Sequence, residues 1–214
     1  MPVPHPTPIF RLIHVDNLAG ILQREGIYAP NHVPQDGIIY RAIHHQHIQE
    51  RRTMRGVPCG PGGVIHDYVP FYFGRLPPML LALRDGYVSG YNEGQEPLIY
   101  LEASAQDVAA EGAGFVFTDG HGVMVFTAFY DDLARLDEVD WQMVQQRYWA
   151  DTFEDPDRKR RKQAEFLIYR FCPWSVVRIL GVMTPRMQQK VEAILDAGNP
   201  EHRPVVQVRR GWYY

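Results

Sequence analysis

Phe10-Arg-Leu-Ile-His14-Val-Asp-Asn17-Leu-Ala-Gly20-Ile-Leu22-Gln-Arg-Glu-Gly26-Ile-Tyr-Ala-Pro30 and, far along the chain, Lys162-Gln-Ala-Glu165-Phe-Leu-Ile-Tyr169 decide the fold. The first reads as a buried strand, Phe10 to His14, that runs into a short helix. Leu18, Ile21 and Leu22 keep helical spacing, and Gly26 stands where a C-terminal cap belongs. The second reads as a strand that opens on a carboxylate, although Glu is disfavoured in strands. A His at one strand end and a Glu at another supply what an enzyme needs to hold a ribose and polarise it.

Outward from these two stretches, residues 1–8 form a Pro-rich, extended lead-in. The pattern predicts a helix from Ile43 to about Arg52. Tyr68-Val-Pro-Phe-Tyr-Phe73 is aromatic and β-prone, and Pro70 places it at a sheet edge or a bulge. Pro78 to Leu83 reads as a short helix. Pro97–Leu101 and Gly114–Phe117 read as strands flanking a helix over Ala105–Ala110. Val139, Met143 and Gln146/Arg147 follow a helical path ending near Trp149. Val176–Val182 reads as a strand. Met187, Val191, Ile194 and Leu195 make an amphipathic helix stopped by Gly198, and Pro204–Val208 closes as a last strand. No βαβ regularity runs through this order, so the fold class is α+β.

The 214 residues suit a single domain, 1–214, with a substantial core. Hydrophobic content of 45% and charged content of 22% are ordinary for a soluble globular protein. No apolar stretch reaches the roughly 18 residues of a membrane span, and the N-terminus lacks the regions of a signal peptide. Two cysteines, Cys59 and Cys172, make neither a disulfide framework nor a four-ligand zinc site, so the expected home is cytoplasmic. His44-His-Gln-His47 has no Cys, Asp or Glu to complete a standard spacing, and no metal is expected.

A net charge of −3 does not mark a nucleic-acid binder in bulk. The charge is uneven, however. Arg158-Lys-Arg-Arg-Lys162 is a basic run just before Glu165, and Arg51, Arg52 and Arg55 form a second group. Local patches of this kind bind phosphates.

Each candidate has two readings. His14 is either hydrogen-bonded to a turn or a donor to a ribose hydroxyl. Glu165 is either a solvated strand end paired with a cation, or a carboxylate that stabilises positive charge building on a ribose in a transition state. The arginines lie on a solvated helix face or meet phosphates. His121, in Thr118-Asp-Gly-His-Gly122, is a turn residue or a contact to a target base. Tyr148 and Trp149 are core residues or stack on unpaired bases.

His14, Asn17, Ala19-Gly20-Ile21-Leu22, Gly26 and Ala29-Pro30 resemble the first strand and helix of poly-ADP-ribose polymerase-like domains. Further motifs run from Phe10 to about Trp174: Arg51-Arg52, Asp67-Tyr-Val-Pro-Phe-Tyr-Phe73, Asp119-Gly-His121, Phe129-Tyr-Asp-Asp-Leu133, Asp140-Trp141 and Lys162-Gln-Ala-Glu165-Phe-Leu. Together they resemble the DarT toxins, which transfer ADP-ribose from NAD to a base in single-stranded DNA, usually thymine and in some members guanine.

The resemblance implies an ADP-ribosyltransferase-like split, mixed β-sheet core with peripheral helices and NAD, as co-substrate, in the cleft. It assigns Glu165 and a catalytic arginine, Arg51 with Arg52 as the alternate, to the chemistry. Arginine is a poor base, so stabilising a deprotonated base or a diphosphate by charge-assisted hydrogen bonds suits it better. His14, Asp16, Asn17, Leu18, Gly20, Arg52 and Tyr72 are assigned to NAD. His121, Tyr148, Trp149, Arg158 and Lys162 are assigned to the DNA. The implied partners are single-stranded DNA and a macrodomain antitoxin that removes the mark, with no membrane and no metal, and a monomer is expected. Two rivals stand beside this reading. One is an ADP-ribosyltransferase acting on protein or RNA. The other is a non-enzymatic single-stranded nucleic-acid-binding module, which gives Glu165 no task.

Overall fold

The computed structural model describes residues 1–214. Strand β1 (Pro8–His14) leads into helix α1 (Leu18–Gln23) and the short β2 (Gly26–Tyr28). Helix α2 (Gln46–Met54), strand β3 (Tyr68–Tyr72) and helix α3 (Pro78–Arg84) follow, then β4 (Leu98–Ser104), α4 (Ala105–Ala110), β5 (Phe115–Thr118) and β6 (Phe129–Tyr130). Two short helices, α5 (Trp141–Val144) and α6 (Arg158–Lys162), precede β7 (Glu165–Tyr169) and β8 (Phe171–Pro173). The chain closes with β9 (Ile179–Val182), α7 (Pro185–Gly198) and β10 (Val205–Val208).

Eight strands form one mixed sheet in the order β10-β9-β4-β1-β3-β7-β5-β6, and β2 and β8 pair separately. The sheet is split at its middle. β1 and β4 pair along their whole length, Pro8↔Ser104 to His14↔Leu98, and β3 and β7 pair from Tyr68↔Tyr169 to Tyr72↔Glu165. Between β1 and β3 the register holds only Phe10↔Tyr72. Beyond that point the halves diverge, and Arg11 Nη1 bridges the gap to the Pro70 carbonyl at 2.8 Å. Only β9 and β10 run parallel.

Pro70 corrects the expectation of an edge strand. β3 lies inside the sheet. Phe73 N donates to Ala164 O, so every second residue back, Phe71 and Val69, also faces β7. Pro70 faces the opened seam, where no ladder bond is missed. Three further boundaries differ. The 139–149 helix stops at Val144, because Lys162 takes the carbonyls of Val144 and Gln146 that a longer helix would use itself. The strand expected from Val176 begins at Ile179, after a 3-10 turn over Trp174–Val176. α2 begins at Gln46, so His44 and His45 precede it.

Gly26 begins β2 rather than capping α1. The left-handed position after the helix is Glu25, and a Cβ on Gly26 would lie 2.3 Å from the Cys172 carbonyl oxygen. One core layer centres on Phe73, whose ring meets Phe117, Phe166 and Trp141 edge-on at 5.3–6.1 Å. The opposite face packs Phe10 and Tyr100 under Trp212 and Tyr213. Phe166, Leu167 and Ile168 are all buried, so β7 is covered on both faces and Glu165 opens a rigid strand.

Candidate active site

The seam between the half-sheets opens into a cavity of about 900 Å³. Arg11 and Tyr72 line it from the strands, Arg52 from α2, and Glu165 from the start of β7. Glu165 is 2% exposed. One carboxylate oxygen, Oε1, accepts from Arg52 Nη1 at 2.8 Å, and Oε2 accepts from Gly122 N at 3.0 Å. Thr118 fixes the backbone beneath, accepting from Glu165 N at 3.0 Å and donating to Gly120 O at 2.7 Å. A Cβ on Gly122 would stand 2.7 Å from Glu165 Oε2, so this position admits only glycine without moving the carboxylate. These bonds fix both carboxylate oxygens in a site shielded from water.

Arg52, rather than the expected Arg51, stands against Glu165. Arg52 is 5% exposed, and its Nη2 is a buried donor with no partner in the protein. Arg51, one residue earlier on the helix, is exposed and donates to Val123 O at 3.1 Å, although it too reaches the cavity rim. Tyr72 faces Glu165 across the β3–β7 ladder. Burial, with the charge of Glu165, holds its hydroxyl protonated, well above the ordinary range.

His121 lines the cavity beside them. Burial keeps its imidazole below the ordinary pKa, the charges of Arg52 and Arg51 add to this, and Glu165 opposes it. Burial lowers His14 in the same sense. A folded-state pKa below the unfolded value means that the unfolded chain binds more protons. The stability these groups contribute is therefore complete above about pH 6.5 and is lost as the pH falls toward their lowered values. The urea midpoint is expected to be lower at pH 5.5 than at pH 7.5, with a smaller difference in His121→Gln. An equal or higher midpoint at pH 5.5 contradicts this.

The remaining expected NAD contacts divide. His14 is 1% exposed. Its Nδ1 accepts from Asp16 N at 3.2 Å, while Nε2 has no hydrogen-bond partner and lies 3.7 Å from Glu93 Oε2. Asn17 lines the cavity, yet its amide is spent on Arg41, donating to the carbonyl at 2.9 Å and accepting from the N–H at 2.7 Å. It pins the segment Asp36–Arg41 over the cleft. Arg24 holds the same segment through Asp36 Oδ2 at 2.8 Å and the Ile38 carbonyl at 3.0 Å. Gly20 packs beneath it, since a Cβ there would meet Ile38 at 2.7 Å. Asp16 is half-exposed and paired with Lys190 and Arg41 outside the cavity. Leu18 is wholly buried among apolar side chains, so its side chain is unavailable to a ligand.

The basic run needs the largest correction. Lys162, expected to meet DNA, is 1% exposed, and its ammonium donates to the carbonyls of Arg75, Val144 and Gln146 at 2.7–2.8 Å. Arg161 is paired with Asp140 and Asp155, and Arg160 with Asp157 and Asp119. Arg158 donates to the carbonyls of Tyr148 and Ala150, tying down the loop before it. Only Lys159 is without an ion pair or hydrogen bond through its side chain, and it stands 6.0 Å over the Trp149 ring. Trp149 itself lines the cavity, with Nε1 donating to Tyr214 Oη at 2.7 Å, while Tyr148 is 78% exposed and does not line it. Lys162→Met would strand three carbonyls. It is expected to lower the unfolding free energy by about 3 kcal/mol or more, read from urea denaturation. A loss under about 1 kcal/mol would contradict the clamp.

Thr118, Gly122, Arg24 and Asp36 carried no role in the sequence reading. The only local signal was the pair of glycines that brackets His121. No three His, Cys, Asp or Glu side chains are grouped to hold a metal ion, and no helix is long and apolar enough to cross a membrane.

A seam-split mixed sheet whose cleft holds a buried, doubly bonded Glu at the head of a strand defines an ADP-ribosyltransferase. The comparisons agree. A Thermus sp. 2.9 DNA ADP-ribosyl transferase is 44% identical over 211 residues, covering 99% of this chain and 98% of that protein, and an Escherichia coli O127:H6 relative is 33% identical over 99% of this chain and 95% of its own. Thermus sp. 2.9 DarT in complex with ADP-ribosylated single-stranded DNA superposes with a TM-score of 0.94 at 43% identity, covering 100% of this chain and 99% of that one. The same protein in complex with NAD+ gives 0.90 at 41% identity, over all of both chains. Residues 10–214 match the family model for the single-stranded DNA thymidine ADP-ribosyltransferase DarT, and the chain belongs to that family.

Proposed function

We propose that this enzyme transfers ADP-ribose from NAD to a thymine in single-stranded DNA, with Glu165 and Arg52 at the reacting centre. The observation that carries the reading is the buried Glu165 carboxylate, fixed on both oxygens at the floor of a cavity large enough for a dinucleotide. The bond from the ribose carbon to the nicotinamide nitrogen breaks, and a bond from that carbon to the thymine ring nitrogen forms. The nitrogen's proton leaves to solvent. Glu165 accepts from a ribose hydroxyl and faces the positive charge that builds as nicotinamide departs. A preorganised carboxylate favours that charge only in the transition state.

Arg52 has a second task. Its unpartnered Nη2 is a donor awaiting an acceptor, and a thymine oxygen carrying negative charge as the proton leaves satisfies it. The unpartnered His14 Nε2 suits a ribose hydroxyl in the same way. Trp149, in the cavity wall, and the exposed Tyr148 next to it in sequence offer aromatic faces to unpaired bases.

This reading extends, on the family resemblance, to a toxin working in the cytoplasm and reversed by a macrodomain antitoxin. The deciding experiment incubates the protein and NAD with single-stranded DNA, duplex DNA, RNA or protein and weighs the products. A gain of one ADP-ribose on single-stranded DNA, absent with Glu165→Ala, supports the reading. Nicotinamide release with an adduct only on RNA or protein moves the acceptor, and no release at all removes the enzyme.

A further inference from the structure

Trp149 belongs to no helix or strand, yet it is held from two directions. Arg158 grips the backbone on either side of it, donating from Nη2 to the Tyr148 carbonyl at 2.8 Å and from Nε to the Ala150 carbonyl at 3.0 Å. The indole makes one hydrogen bond, from Nε1 to Tyr214 Oη at 2.7 Å, across 65 residues of sequence. Tyr148 and Phe153, on the same stretch of chain, lack such a tie and are 78% and 98% exposed. Of these three rings only Trp149 lines the cavity.

Tyr214 is itself firmly anchored. Its hydroxyl donates to the Leu76 carbonyl at 2.6 Å, which leaves its lone pairs to accept from Trp149. Gln95 clasps its backbone, accepting from Tyr214 N at 3.0 Å and donating to the Tyr214 carbonyl at 2.6 Å. The guanidinium groups of Arg84 and Arg147 lie 5.5 and 5.4 Å from the centre of its ring. Next to it, Tyr213 is buried and donates to the carbonyls of Leu98 and Gly181, both at 2.9 Å. Tyr214 does not line the cavity. Three separate parts of the chain thus converge on one side chain that stands behind the wall and touches Trp149 from there.

We propose that Tyr214 is a positioning residue for DNA binding, which fixes the Trp149 ring at the angle at which an unpaired base stacks on it. The inference rests on the proposed stacking of a base on Trp149. A tryptophan on a loop has side-chain freedom to lose when a base settles on its face. The bond to Tyr214 removes that freedom in advance, so the gain lies in affinity for DNA and not in the chemical step. An indole N–H deprived of its acceptor turns toward water or another partner, and the ring turns with it.

The test is steady-state kinetics of the full chain with NAD and a thymidine-containing single-stranded oligonucleotide. Tyr214→Phe removes only the hydroxyl and keeps the ring between the two arginines. It should raise KM for the oligonucleotide about 5-fold, with kcat within about twofold of wild type. Trp149→Ala should raise the same KM about 10-fold or more. Adding Tyr214→Phe to Trp149→Ala should change nothing further, because the ring to be positioned is gone. Thermal melting of each variant checks that the fold is kept. Tyr214→Phe with the KM of wild type, or with its full effect retained beside Trp149→Ala, overturns the positioning role while stacking on Trp149 stands. Trp149→Ala with an unchanged KM overturns the stacking itself, and the inference with it.

Discussion

Glu165→Gln is expected to lower kcat/KM for DNA modification about 10³-fold or more with the chain still folded. The substitution keeps the shape of the side chain and one oxygen for Arg52. It removes the charge, and it turns the group facing Gly122 N–H, 3.0 Å from Oε2, from an acceptor into a donor. Charge that builds on the ribose then meets a neutral amide at the distance where it met a carboxylate, in a site where screening by water is slight. The same change leaves the Arg52 guanidinium buried without its counter-ion, which costs on the order of 3–5 kcal/mol of stability where no water relieves it. Urea denaturation therefore accompanies the kinetics, so that loss of rate is measured on folded protein. Retention of a tenth of the wild-type rate would remove Glu165 from the reacting centre.

Arg52→Ala should cost about 10²-fold or more in kcat/KM, whereas Arg51→Ala should cost less than about 10-fold. The two arginines are neighbours in sequence and opposite in environment. Arg52 is 5% exposed, donates to Glu165 and keeps one unpartnered N–H group, while Arg51 is exposed and donates to a loop carbonyl. Arg52→Lys separates charge from geometry. A lysine restores the cation but not the planar fork that reaches Glu165 and a second acceptor together, so it should recover only part of the rate. The opposite ranking, with Arg51→Ala the more damaging, would return the role to Arg51 and leave Arg52 as the counter-ion of Glu165 alone.

These two residues also measure how far the chain could be read before it was folded. The carboxylate that opens a strand was legible because it breaks a local rule: Glu sits badly at the head of an apolar run unless something needs it there. The choice between Arg51 and Arg52 was not legible. It depends on which face α2 turns toward β7, and the helix has too few apolar residues to declare that face. The contact that decides it joins positions 113 residues apart.

The basic run before Glu165 shows the converse. Arg158 to Lys162 reads as a phosphate-binding patch when only the run is visible. Asp155 and Asp157 just before the run, together with Asp119, Asp140 and three backbone carbonyls from more distant parts of the chain, take up most of that charge. A charge run says nothing of its partners until the chain is packed, because short-range pairing in a folded interior outweighs the net charge of a segment. Pro70 misled for a related reason. A proline excludes a ladder bond on one side only, and the split seam removes the bond from that side.

The sequence by itself determined the α+β class, the family resemblance, the strand that Glu165 opens and the helix α7. Each of these is written in periodicity or motif over neighbouring residues. Only the tertiary structure decided that the sheet splits between β1 and β3, that Arg52 faces Glu165, that Asn17 clamps a segment over the cleft, and that Lys162 is an internal tie. The physical reason is common to all four. Hydrogen bonds and ion pairs of buried polar groups are chosen by which distant groups the packed core brings within about 3 Å, and local sequence carries no record of that choice.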